Sequence, residues 1–363
     1  MAAPLPQTRP GVMEAPLYVG GQHQVEGTAE PIVLSANENP FGPSPAAVAA
    51  YQQTAQELHR YPDGGSEALR DAIAARFGCD AAGIVCGIGS GELIQLLVRA
   101  YAGPGDEVVH SRHGFLMYAI AATGVGATPV AAPETDLTAD VDALLDCVTE
   151  RTRLVFLANP NNPTGTYLPR DALVRLRAGL PDHVLLVIDA AYAEYVSRND
   201  YSDASDLVEA FPNVVMTRTF SKIFGLAGVR LGWCYCPPAV ADALNRLRGP
   251  FNVSMPAQAA GVAAMEDVAH TDAGRAHNDI WLPWLRARLD GLGLETVPSV
   301  GNFVLARFGS KDAARRVHAF LLARGIIVRG MASYGLPDAL RITVGLDCEL
   351  EAATAALTDW GTA

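Results

Sequence analysis

Of the 27 basic residues in the chain, two are lysines, Lys222 and Lys311, and the rest are arginines. Chemistry that needs an amine nucleophile would retain a lysine in such a chain, because a guanidinium stays protonated and forms no Schiff base. A coding bias towards arginine would also leave a stray lysine, and Lys311 reads as one. Lys222 keeps different company. The segment TRTFSKIFGLAGVRLGW gathers Thr219, Ser221, Lys222 and Arg230 between two apolar runs. Two hydroxyls, an amine and a guanidinium at that spacing could bind a phosphate beside a reactive lysine. As an isolated charged loop the same residues would be unremarkable.

Two further segments bear on the same chemistry. Gly87-Ile-Gly89-Ser90-Gly91-Glu92 follows a short apolar run and precedes a helix expected to begin near Leu93. Glycines there let backbone amides approach an anion, and a helix N-terminus favours negative charge. The spacing is GxGxG, and Asp106 opens its strand where a dinucleotide site would have an acid closing one, so a dinucleotide fold is disfavoured. In VIDAAYAEY, Asp189 ends an apolar run, with Tyr192 three residues on. An Asp leaving a buried strand at a sheet's carboxyl edge needs a partner, whether a ligand or a helix N-terminus.

Elements that could position these residues are legible in outline. The runs at 107–110, 127–131, 153–158, 184–189, 213–218 and 230–236 alternate with helical stretches. Strands spaced by helices imply an α/β fold with a mostly parallel sheet covered on both faces. A proline-rich arm is expected over 1–45, a large α/β unit over 46–255 and a smaller α+β unit over 256–363, its strands separated by single helices. A helix is expected from Ser66, with Leu69, Ala72, Ile73 and Phe77 on one face.

Composition removes other classes. Half the residues are hydrophobic and under a fifth charged, which suits a globular chain and excludes general disorder. The net charge of −12 argues against a nucleic-acid surface. No uncharged apolar stretch reaches membrane-spanning length and no signal-peptide core is visible, so a cytoplasmic protein without a membrane partner is expected. Six scattered cysteines lack any CxxC pair, so neither a metal site nor a disulfide framework is signalled.

Taken together, LSANENPFGPSP, RYPDG, NNPTG, IDAAYAEY, TFSKIFGLAGVRLGW and LRITVG, in that order, resemble the fold-type I aminotransferases and within them the histidinol-phosphate aminotransferase family. The resemblance implies pyridoxal 5'-phosphate as cofactor, with Lys222 as its Schiff-base lysine and Asp189 paired with the pyridine nitrogen. Asn162 and Tyr192 match donors to the ring's phenolic oxygen, and Phe115 the aromatic stacked on the ring. The Ser90 and Gly91 backbone, Thr219, Ser221 and Arg230 match the phosphate site. Gly91 departs from the family's usual Asp there, which removes a side-chain contact and leaves the backbone donor. Tyr61 matches a tyrosine reaching the cofactor phosphate from a neighbouring subunit, so a homodimer is implied. Arg341 matches the arginine that grips an α-carboxylate in related aminotransferases and, with Arg329, lies where the family reads its substrate's polar tail; Tyr61 is implied as a substrate-binding residue as well. The implied reaction moves an amino group between L-histidinol phosphate and 2-oxoglutarate, with Lys222, Asp189 and Tyr192 as catalytic residues and L-glutamate as the second product. An aromatic amino-acid aminotransferase on the same scaffold is the alternative, and a lyase or decarboxylase of phosphorylated amino acids is a third.

Overall fold

The computed structural model describes residues 6–24 and 30–361; residues 1–5 and 25–29 of the expected arm, and 362–363, lie outside the described residues. Strand β1 (Ile32–Leu34) comes first. Strands β2 (Ile84–Gly87), β3 (Glu107–Ser111) and β4 (Thr128–Ala132) follow, then a small hairpin of β5 (Glu134–Thr135) and β6 (Thr138–Ala139). After it come β7 (Thr152–Ala158), β8 (Leu185–Asp189), β9 (Val214–Thr219) and β10 (Gly232–Tyr235). The last four are β11 (Glu295–Thr296), β12 (Phe303–Arg307), β13 (Ile326–Gly330) and β14 (Ala339–Thr343).

Seven strands form the larger sheet in the order β2-β10-β9-β8-β7-β3-β4. Pairings from β4 through β3, β7 and β8 to β9 are parallel. Each expected apolar run falls on one of these strands; the inner strands are covered on both faces and need apolar residues at nearly every position, while β4, at the edge, is partly exposed. Residues of β8 are all buried, including the terminal Asp189. The exception to the parallel reading is β10, which is antiparallel to both β9 and β2.

Helix α1 (Pro45–Gln53) is capped by the Ser44 hydroxyl, which accepts from the Ala47 amide. Helix α2 (Glu67–Phe77) buries Leu69 and Ile73 and ends on Gly78 in the left-handed region. Helix α3 (Ser90–Tyr101) packs Leu93, Leu97 and Val98 into one core of the larger sheet, where Tyr118 of α4 (Met117–Gly124) joins them.

A second sheet, β1-β13-β14-β12-β11, is antiparallel apart from the β1–β13 pair. Three corrections to the sequence reading arise here. Residues 32–34 of the expected arm are an edge strand of this sheet. Strands β13 and β14 are joined by a single 3-10 turn, Ala332–Tyr334, with no intervening helix. The changeover expected at 256 falls later: the helix Met255–Glu266 buries Ala257, Ala260, Ala264 and Met265 in the core that holds Ile73 and Leu231. Only the long helix Val268–Gly291 delivers Leu285 and Leu289 to the core of the second sheet. Among the described residues no helix is long and apolar enough to cross a membrane.

Candidate active site

The carboxyl ends of β7, β8 and β9 and the amino end of α3 open into one cavity of about 840 Å³. Open α/β sheets bind ligands at this edge, where strand ends and helix N-termini converge. Ser90, Gly91, Phe115, Asn162, Asp189, Tyr192, Thr219, Ser221, Lys222, Arg230, Arg329 and Arg341 all line it. Tyr61 does not. It is 81% exposed and stacks on Phe251, ring centroids 4.6 Å apart, outside the cavity wall.

Lys222 lies on the floor, in the turn after β9, and its Nζ donates to the Ala36 carbonyl at 2.8 Å. Burial, aided by the Arg341 charge, depresses its amine to about 7. Its ammonium lies 5.7 Å from the centre of the Tyr192 ring, whose hydroxyl accepts from Asn37 Nδ2 at 2.9 Å. Burial pushes that phenol up to about 12, so it stays protonated at neutral pH. Lys311, the other lysine, is the exposed first residue of the helix Lys311–Leu322 and does not line the cavity.

Asp189 ends β8 and is 4% exposed. Tyr118 donates to Oδ2 at 2.7 Å and Thr217 to Oδ1 at 3.2 Å. Burial raises its carboxyl despite those bonds, the Ala191 amide and the Lys222 charge, so this protein leaves a buried carboxylate short of a cation.

Opposite it is an anion cradle. Helix α3 starts at Ser90, three residues before the sequence reading puts it. Gly89 has φ +88°, and a Cβ there would meet Arg230 Nη2 at 2.7 Å. A Cβ on Gly232 would lie 2.4 Å from the Ser90 amide nitrogen. Both positions therefore require glycine, because the loop, β10 and Arg230 close on one point. Arg230 donates to the Ala227 carbonyl at 2.9 Å and lies 3.5 Å from Ser221 Oγ. A helix N-terminus, a guanidinium and two hydroxyls suit a phosphate dianion.

The second sheet supplies the remaining wall. Arg329 of β13 and Arg341 of β14 are directly opposite in register, so their side chains share a face. Arg341 donates to the Ser35 carbonyl at 2.7 Å and to Asn162 Oδ1, while its buried Nε has no partner. Arg329 donates to the backbone carbonyls of Val19, at 2.6 Å, and Gly20. That clasp draws the arm over its own chain's cavity, where Tyr18, Gly21 and His23 line the wall. Sequence reading missed those arm residues, together with Tyr118, Thr217, Asn37 and Tyr334. The one available signal was for Tyr118, which follows Phe115 by three residues, one turn on; its amide donates to the Phe115 carbonyl at 3.1 Å in the turn that leads into α4.

Pyridoxal 5'-phosphate fits these groups. It brings a phosphate for the cradle, a basic ring nitrogen for a carboxylate short of a cation, and an aldehyde for an amine whose neutral form predominates above about pH 7. The mostly parallel, doubly covered sheet, with this lysine and carboxylate at its carboxyl edge, is the architecture of the fold-type I pyridoxal-phosphate enzymes.

Comparison with known proteins agrees. Residues 29–357 match the family "Aminotransferase class I and II". Histidinol-phosphate aminotransferases of Rhodospirillum centenum and Paramagnetospirillum magneticum are 59% and 60% identical, each alignment covering 99% of both chains. The crystal structure of the Sinorhizobium meliloti histidinol-phosphate aminotransferase in complex with pyridoxal-5'-phosphate superposes with a TM-score of 0.90 at 30% identity, covering 99% of each chain. The chain belongs to the histidinol-phosphate aminotransferase family of the class I and II aminotransferases.

Proposed function

We propose that this protein binds pyridoxal 5'-phosphate and transfers the amino group of L-histidinol phosphate to 2-oxoglutarate, giving imidazole acetol phosphate and L-glutamate in histidine biosynthesis. The observation that carries the substrate is the cross-strand pair Arg329 and Arg341 on the cavity wall, with a buried guanidinium Nε still free. A carboxylate needs one bidentate arginine, whereas a phosphate offers enough oxygens for two.

When bound, the cofactor supplies an aldehyde that captures amines and a protonated ring that accepts the electron pair left at the substrate carbon. The Ser90 and Gly91 amides, Thr219, Ser221 and Arg230, all on the cavity wall, would hold its phosphate. Asp189 would pair with the ring nitrogen, Asn162 and Tyr192 would donate to the phenolic oxygen, and Phe115 would stack on the ring. Lys222 anchors the cofactor until substrate arrives. Its Nζ, which burial holds at about 7 and so largely neutral just above that pH, would then take the proton from the substrate's α carbon and deliver it to the former aldehyde carbon. A panel of histidinol phosphate, phenylalanine, tyrosine and histidine under one assay tests the assignment. Histidinol phosphate is expected to have the highest kcat/KM; a preference for phenylalanine would make the enzyme an aromatic aminotransferase.

The protein acts as a cytoplasmic homodimer in which Tyr61 completes the partner's phosphate site. Its place outside its own cavity supports this, as does an exposed apolar group comprising Val48, Tyr51, Leu58, Tyr61 and Phe251. Mixing Tyr61→Ala and Lys222→Ala chains tests it. Random reassortment is expected to restore about a quarter of the sites with both residues intact, so activity should exceed that of the parents. Stable mixed dimers without recovery would place Tyr61 within its own chain's function.

A further inference from the structure

Beyond the groups that meet the cofactor directly, Asp189 has two side-chain partners whose geometry exceeds what packing requires. Tyr118 and Thr217 each donate a hydroxyl, one to each carboxylate oxygen, at 2.7 and 3.2 Å. They come from different elements: Tyr118 from the first turn of α4, and Thr217 from β9, at the position paired with Asp189 across the parallel ladder. Neither can swing away. The Tyr118 side chain is wholly buried, stacked on Phe156 with centroids 4.6 Å apart and planes 8° from parallel. Its other side meets Phe115 edge-on at 5.9 Å, and Phe115 itself lines the cavity. Thr217 is likewise fully buried.

We propose that Tyr118, with Thr217, is a positioning residue that fixes the Asp189 carboxylate in its ionised form and in one orientation towards the cofactor's ring nitrogen. The inference rests on the reading of Asp189 as that nitrogen's partner. A carboxylate holding a proton on a neighbouring base faces a choice, since the proton can reside on either atom. Each hydroxyl donated to the carboxylate lowers its proton affinity, which leaves the proton on the ring and the ring positively charged. Neutral donors suit this task better than a cation would. An arginine or lysine at Tyr118 would neutralise Asp189 and cancel the attraction that holds the charged ring. A tyrosine meets the further need of remaining a donor at all working pH values: burial and the adjacent Asp189 charge raise its own phenol well above the ordinary range.

Removing the hydroxyl therefore has a signed consequence. In Tyr118→Phe the stacked ring stays and one donor is lost, so Asp189 shares the proton more strongly and the ring carries less positive charge. The nitrogen linking the cofactor to Lys222 then keeps its proton to higher pH. The test is a pH titration of the visible absorption of the holoenzyme without substrate, for wild type, Tyr118→Phe, Thr217→Val and Asp189→Asn. The spectral midpoint is expected to rise by at least about half a pH unit in Tyr118→Phe, less in Thr217→Val and most in Asp189→Asn. A folded Tyr118→Phe holoenzyme with the wild-type midpoint, beside a shifted Asp189→Asn, would overturn the role of Tyr118 alone. An unshifted Asp189→Asn would overturn the reading of Asp189 as well. If Tyr118→Phe does not fold, Thr217→Val decides by the same criterion: a raised midpoint supports the clamp and an unchanged one overturns it. A loss of packing alone would lower the melting temperature without moving the midpoint.

Discussion

Lys222→Ala is expected to fold, to bind cofactor weakly and to turn over at least about 10³-fold more slowly than wild type, because in the proposed reaction one amine serves as both covalent anchor and proton carrier. Borohydride reduction of the wild-type holoenzyme should fix the cofactor on the peptide containing Lys222, and the Lys222→Ala protein should show no such adduct. A label on Lys311 would reject the assignment. The environment adds a pH signature. An unperturbed lysine amine is mostly protonated below about pH 10.4 and captures aldehydes ever faster up to that point. Burial depresses Lys222 to about 7, so its neutral, reactive form predominates above that value. Capture of cofactor by the apoprotein should therefore rise with pH to about 7 and then level off. A rate that continued to climb towards pH 10 would show that the amine is not desolvated as the fold implies.

Why this lysine could be singled out from sequence, while other parts of the site could not, follows from which interactions are local. Asp189 ends an uninterrupted apolar run, and Gly89 and Ser90 precede a helix, so their chemistry is written in neighbouring residues. Strand direction is not: the run at 230–236 is as apolar as its neighbours, and periodicity does not distinguish antiparallel β10 from a parallel strand. Strand β1 spans three residues, too few to show a period, and exists because β13 offers it an edge. The Ala-rich helix Met255–Glu266 shows no side preference in its pattern; its packing against α1 and α2 decides where it lies. Tyr118 lies 71 positions from Asp189, and only the stacking of β3, β7 and β8 brings them together. The arm's path depends on backbone carbonyls of Val19 and Gly20, which no residue type advertises.

That clasp changes what should be expected of the two arginines. Arg341 is 5% exposed and tied to Ser35 and Asn162, so Arg341→Gln removes a buried charge from the cavity wall and loosens a neighbour of the cofactor. Losing a buried charged contact costs about 3 kcal/mol, which corresponds to roughly a hundredfold loss in kcat/KM for histidinol phosphate. Arg329 is more exposed and must give up the Val19 and Gly20 carbonyls to reach a phosphate, so part of its attraction is offset by that exchange. Arg329→Gln should cost the phosphorylated substrate about tenfold, and unphosphorylated histidinol almost nothing. If both guanidiniums grip one phosphate, the double variant should lose less than the product of the single losses, because neither residue alone can then hold the group as the pair does. Steady-state kinetics on the two substrates across the four proteins, with thermal melts to confirm folding, measures this. Equal losses on histidinol and histidinol phosphate would show that the arginines shape the cavity without reading the phosphate, and would return the substrate assignment to the aromatic amino acids.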